Sequence, residues 1–149
     1  MKWFISVFIF LLLTSCFFPT GVYQFTSLEE ACLWIGDNIE YATDYDVWGV
    51  AEYWQAPEQT LSLMTGDCED CAVLMMDVAD SMGYEPWCVV VKFGTGAYHA
   101  VCEIDDIIYD ATAGYVAGYD DYMKYMEAYE TNRHSLATIK MVIGNKEAI

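Results

Sequence analysis

The sequence predicts an α+β domain in which one helix, with Cys68 at its first position, packs on a small antiparallel sheet. Two observations predict it. Thr65-Gly66-Asp67-Cys68-Glu69-Asp70-Cys71-Ala72 places a good N-cap residue, Asp67, before an apolar run that stops at Gly83, with Pro86 just beyond. After it come three strand-like runs, Trp87–Phe93, Ala97–Ile104 and Ile107–Thr112, separated by short turns.

The chain opens with Met1-Lys2 and an apolar stretch from Trp3 to Leu13 of about 11 residues, too short to span a bilayer as a helix. Leu13-Thr14-Ser15-Cys16 then has the form of a bacterial lipoprotein cleavage site, with Cys16 the lipidated residue. The expected organisation is a leader over residues 1–15, a tether over 16–26 and one domain over 27–149, on the outer or periplasmic side of the envelope. A formal net charge of −17 with only six Lys and Arg argues against a nucleic-acid partner. The expected partners are a protein or peptide substrate and, through Cys16, a membrane. A monomer without cofactor or resident metal is expected.

Ser27-Leu28-Glu29-Glu30 is a capping box, and Leu28, Ala31, Cys32, Ile35 and Ile39 recur at helical spacing, which predicts a helix over 28–40. Residues 41–53 lose periodicity and read as a surface loop. Pro57 opens a short helix. In the first hairpin, Gly94-Thr95-Gly96 suits a three-residue loop with a left-handed Gly96. That register sets Val91 opposite His99 and Cys88 opposite Cys102, the cysteines on the face away from His99. A second turn at Asp105-Asp106 sets Val101 opposite Asp110, so His99 and Asp110 become diagonal neighbours on one face. The same face carries Val89, Val91, Val101 and Ile108, the expected seat of the Cys68 helix. Residues 119–129 read as a helix, 137–143 as a last strand, and His134 as a surface residue.

The chemistry follows from these three residues. A helix N-terminus offers unpaired N–H groups and a positive dipole end, which favour a cysteine thiolate. Glu69 and Asp70 oppose it, so a charged His99 is needed nearby. Cys68 would attack an acyl carbon, His99 would take or hold its proton, and Asp110 would set the imidazole tautomer. The Cys68 backbone N–H is the natural oxyanion donor. Trp54 and Gln55 are further candidates, for the cleft wall and an oxyanion donor, with core packing of Trp54 the competing expectation. Cys68-x-x-Cys71 leaves two alternatives, a redox pair or a zinc site with His99 and Asp110, although no second ligand pair completes a structural zinc site.

Trp54-x-x-Pro57-x-x-Thr60, Gly66-Asp67-Cys68-Glu69-Asp70-x-Ala72, Tyr98-His99-Ala100 and Tyr109-Asp110-Ala111-Thr112 resemble the transglutaminase-like superfamily, particularly its bacterial cysteine peptidase branch. The resemblance covers residues 28–112. It implies a papain-like core, a Cys68–His99–Asp110 triad and thiol acyl transfer: amide hydrolysis or, less often, transamidation. Cys71 departs from the pattern. Because some members have lost catalysis, a non-catalytic binding or scaffold lipoprotein is the alternative from another class.

Overall fold

The computed structural model describes residues 23–144, the side chains of 129–131 excepted. Cys16, the leader and most of the tether lie outside them. The first helix, α1 (Leu28–Asn38), starts where Ser27 Oγ accepts the Glu30 N–H at 3.1 Å. It ends two residues sooner than its apolar spacing predicts, because β1 (Glu40–Tyr41) pairs in parallel with β2 (Thr65–Gly66). The stretch read as loop holds a one-turn helix, α2 (Asp44–Trp48), capped by Thr43. Pro57 opens α3 (Pro57–Leu63), as its fixed φ favours.

The central helix, α4 (Cys68–Ser81), is buried on almost every side from Glu69 to Ala79. Gly83, left-handed at φ +89°, terminates it, and the Tyr84 N–H returns to the Ala79 carbonyl at 3.0 Å. Beyond it run β3 (Trp87–Phe93), β4 (Tyr98–Ile104), β5 (Ile107–Asp110), β6 (Tyr115–Gly118), α5 (Tyr119–Tyr125), β7 (Ala128–Ser135) and α6 (Leu136–Val142). The antiparallel sheet has the order β6-β5-β4-β3-β7. Among the described residues no helix is long and apolar enough to cross a membrane.

Both predicted registers are present. Val91 faces His99, Cys88 faces Cys102, and β4 pairs with β5 from Cys102↔Tyr109 to Ile104↔Ile107, in the register expected from the Asp105-Asp106 turn. Gly96 is left-handed at φ +90°, and the Phe93 N–H bonds Ala97 O at 2.9 Å. Cys88 and Cys102 are buried as free thiols.

Three expectations are corrected. The α4 helix packs on the opposite face of the sheet from the one expected, against Cys88, Ala100, Cys102, Ile104 and Tyr109. Val89, Val91, Val101 and Ile108 form a second core that Tyr122 of α5 covers. Alternation tells which residues share a face, but not which layer covers it. Residues 137–143 are not a strand. Ser135 caps α6, its Oγ accepting the Thr138 N–H at 3.4 Å, and Ile139 is buried. The last strand is β7, whose polar sequence hides it and whose register with β3 shifts between Val90 and Val91. Its Arg133 pairs with buried Glu103 and lies 5.4 Å from the centre of the Trp87 ring. His134, expected as a surface residue, therefore stands half-buried in a strand opposite Cys88.

Candidate active site

Asp70 holds the entrance to α4. One of its oxygens accepts the Gln55 N–H at 2.8 Å; the other takes the Asp67 N–H at 3.2 Å and the Gln55 side-chain amide. Gly66 makes room, since a Cβ there would lie 2.7 Å from Asp70 Cβ. Gln55 is 1 % exposed, and its amide nitrogen is spent on Asp70 and the Thr65 carbonyl. Trp54 is 4 % exposed and belongs to the core. The structure thus places both in the interior instead of facing an open cleft, with Gln55 bracing the helix start through Asp70.

Cys68 is half-buried at that start. Its Sγ lies 3.2 Å from Glu69 Oε2, and the Ala100 N–H on β4, next to His99, points to the sulfur and pulls its pKa down. Burial and the Glu69 carboxylate outweigh this and hold the thiol well above its ordinary range. The expectation of a thiolate favoured by the helix start is not met: burial beside Glu69 outweighs the one N–H, that of Ala100 on β4, that draws the thiol down. Cys71 points into the core, and burial first, then Asp70, pushes its thiol up to about 12. Neither thiol is disulfide-bonded.

His99 and Asp110 meet as the registers require. His99 Nε2 is 3.0 Å from Asp110 Oδ2, which leaves Nδ1 as the open ring nitrogen. Phe93 stacks on the imidazole at 6.1 Å. Asp110 is 2 % exposed. Burial pushes its carboxyl up, but hydrogen bonds from His99 and Tyr122 and the nearby imidazole hold it below its usual value. His99 lies on the α5 side of the sheet, whereas α4 covers the other face. Cys68, at the end of α4, touches β4 at Ala100 and lies within electrostatic reach of Tyr122, whose hydroxyl bonds Asp110.

Beside Cys68 is a feature invisible in the sequence. Carboxylate oxygens of Asp44, Asp67 and Asp70 lie within 4.8 Å of one another; so do those of Asp44, Glu52 and Glu69, and those of Asp67 and Glu69 with Cys68 Sγ. The surface-loop reading of 41–53 separated Asp44 and Glu52 from this group. The described ion pairs, His99–Asp110, Arg133–Glu103 and Lys140–Asp80, all lie elsewhere. Asp67 Oδ1 is buried without a hydrogen-bond partner. Cys71, His99 and Asp110 join none of these groups, and Cys68 joins one only with Asp67 and Glu69, so the four proposed zinc ligands do not converge among the described residues.

Burial, then Asp67, raises Asp44 to about 6; burial first raises Asp70 to about 7. Both bind protons more tightly when folded than when unfolded, near 3.8. Their ionisation therefore costs stability progressively as pH rises from about 4 to about 7. Asp110 has the opposite sign, but its contribution is lost only in more acid solution. In chelating buffer the melting temperature should be higher at pH 5 than at pH 8; a higher value at pH 8 would contradict the burial of these acids.

No protein-family model and no curated protein matches the chain. Solved structures do. LapG of Legionella pneumophila superposes with a TM-score of 0.58 at 16 % identity, over 72 % of this chain and 62 % of that one. Its EGTA-treated form gives 0.58 at 17 %, covering 72 % and 61 %, and its calcium-bound form 0.57 at 17 %, covering 72 % and 62 %. The fold is transglutaminase-like. The chain spans about three fifths of the LapG chains it matches. In this transglutaminase-like core the Cys68 helix is the buried element and the His99 and Asp110 strands are its neighbours in the sheet.

Proposed function

We propose that the protein is a cysteine peptidase or amidase acting through Cys68, His99 and Asp110 on an amide bond in a protein or cell-wall peptide. The observation that carries this reading is the 3.0 Å His99–Asp110 contact, on the strand whose next residue, Ala100, meets the Cys68 sulfur. Asp110 fixes the proton on Nε2, so Nδ1 is the base that takes the thiol proton as sulfur attacks the carbonyl carbon. The imidazolium then returns the proton to the leaving amine, and water releases the acyl group. The Cys68 backbone N–H, at the first position of α4, faces the developing oxyanion. The Leu13–Cys16 motif supports a lipid tether that would hold this site at the envelope, which radiolabelled palmitate incorporation lost on Cys16→Ala would test.

The acid group suits a hard divalent cation such as the calcium bound in one LapG structure. Asp44, Glu52, Asp67 and Glu69 would hold it, with the orphaned Asp67 Oδ1 as a ready donor. Bound there, it would supply positive charge beside the nucleophile. Calcium at a hundredfold excess over its Kd should stabilise the fold by about 2–3 kcal/mol. The gain in melting temperature should be larger at pH 8 than at pH 5, and Asp67→Asn with Glu69→Gln should remove it. An unchanged melting temperature at millimolar calcium would contradict the assignment.

The burial and the Glu69 carboxyl that push the Cys68 thiol up favour a non-catalytic scaffold instead. Trapping an acyl-enzyme from native envelope extract, followed by mass spectrometry of Cys68, separates the two. An acyl adduct supports the peptidase; intact thiol after exposure to the extract favours the scaffold.

A further inference from the structure

Asp110 carries a partner that its role in a triad does not require. Its Oδ2 accepts hydrogen bonds from His99 Nε2 at 3.0 Å and from the Tyr122 hydroxyl at 2.8 Å, while Oδ1 receives the Ala113 N–H at 3.4 Å. Tyr122 is 0 % exposed, in the second core with Val89, Val91, Val101 and Ile108. We propose that Tyr122 is a positioning residue of the acyl-transfer site, its hydroxyl holding Asp110 Oδ2 in the direction from which His99 Nε2 is bound. This rests on the peptidase reading above.

A buried phenol needs some hydrogen-bond partner, so packing alone would explain its having one. It does not explain the choice of atom. The hydroxyl reaches the same oxygen as the imidazole, from a separate element, α5, whose side chain has no route to water. Burial first, then the charge of Asp110, pushes the phenol well above its ordinary range, so it stays a donor. Two donors on one oxygen restrict rotation of the carboxylate and draw off part of its charge. Each element packed around the carboxylate presents a group to it: His99 from β4, Tyr122 from α5, Cys32 from α1 and Cys71 from α4. His99 and Tyr122 are hydrogen-bonded to it through their side chains; Cys32 and Cys71 are thiols that feel its charge without bonding it.

The test is an NMR titration of the His99 ring in the full chain, which has only two histidines, so His134→Gln assigns the signals. In Tyr122→Phe the carboxylate faces the imidazolium with its charge undiluted, and the His99 midpoint should rise by about half a pH unit. A purely structural role would change the melting temperature and leave the midpoint in place. Asp110→Asn removes the anion and should lower the midpoint. If Asn lowers it and Phe does not move it, the Tyr122 assignment fails alone. If Asn leaves it unmoved, the His99–Asp110 pair fails, and the peptidase reading and the Tyr122 assignment fail with it. The midpoint needs no turnover, so a rise in Tyr122→Phe without any acyl-enzyme in extract would retain the positioning contact and overturn the peptidase reading. Should Tyr122→Phe not fold, the Tyr122 ¹³Cζ shift should move upfield in Asp110→Asn; an unmoved shift overturns the inference.

Discussion

Cys68→Ala should abolish amide hydrolysis, by roughly 1,000-fold or more, with the fold intact. Alanine fits the first position of a helix, and Cys68 is only half-buried, so little packing is lost. His99→Ala should fall about as far, and the double variant no further, because in the proposed mechanism nucleophile and base act as a unit. His99→Ala should also slow iodoacetamide alkylation of Cys68 near neutral pH, since burial and Glu69 leave the thiol dependent on a base. Circular dichroism checks the fold, and release of peptide from envelope substrate checks the rate. Hydrolysis that survives Cys68→Ala would end the thiol mechanism. Alkylation of native Cys68 no different from that of an unfolded cysteine, and indifferent to His99, would favour the scaffold.

Gly36→Ala should be the most destabilising small substitution outside the site. Gly36 lies on α1 where the helix crosses the loop after β5, and a Cβ there would come 2.6 Å from Gly114 N and 2.7 Å from Gly114 Cα. These are backbone atoms, so no side chain can swing aside. Gly114 itself is left-handed, at φ +60°. The crossing must open, which costs about 2–3 kcal/mol as overpacking does. A loss of roughly 5–10 °C in melting temperature is expected for a chain of this size. Because Ala111 O is the next contact, at 3.2 Å, the displacement would also reach the segment that follows Asp110. A melting temperature within about 2 °C of wild type would show that α1 and this loop are not in tight contact.

What the chain reveals unaided is tied to local periodicity and to turns. Gly96 and the Asp105-Asp106 turn set two registers, and from them His99 and Asp110 meet although eleven positions apart in sequence. Asp67, whose N–H bonds back to Asp70, and Gly83 bound the Cys68 helix for equally local reasons, an N-cap position and a left-handed stop. Other features are not local. Arg133, His134 and Ser135 have no apolar alternation, and β7 exists because β3 presents a free edge and Glu103 a buried carboxylate to pair. Asp44 and Glu52 look like solvated loop acids until α2 folds over the start of α4. The apolar spacing of Tyr122 predicts its burial, while the aim of its hydroxyl depends on α5 crossing the sheet above Asp110.

The sequence by itself determined the central helix, the strand registers and the pairing of an imidazole with a carboxylate, because each follows from steric rules acting over a few residues. The tertiary structure alone decided which sheet face lies under α4, how five carboxylates gather beside Cys68, and the burial that pushes its thiol up. Those depend on desolvation and on charges brought together from distant segments, and neither is a property of any stretch of chain taken alone.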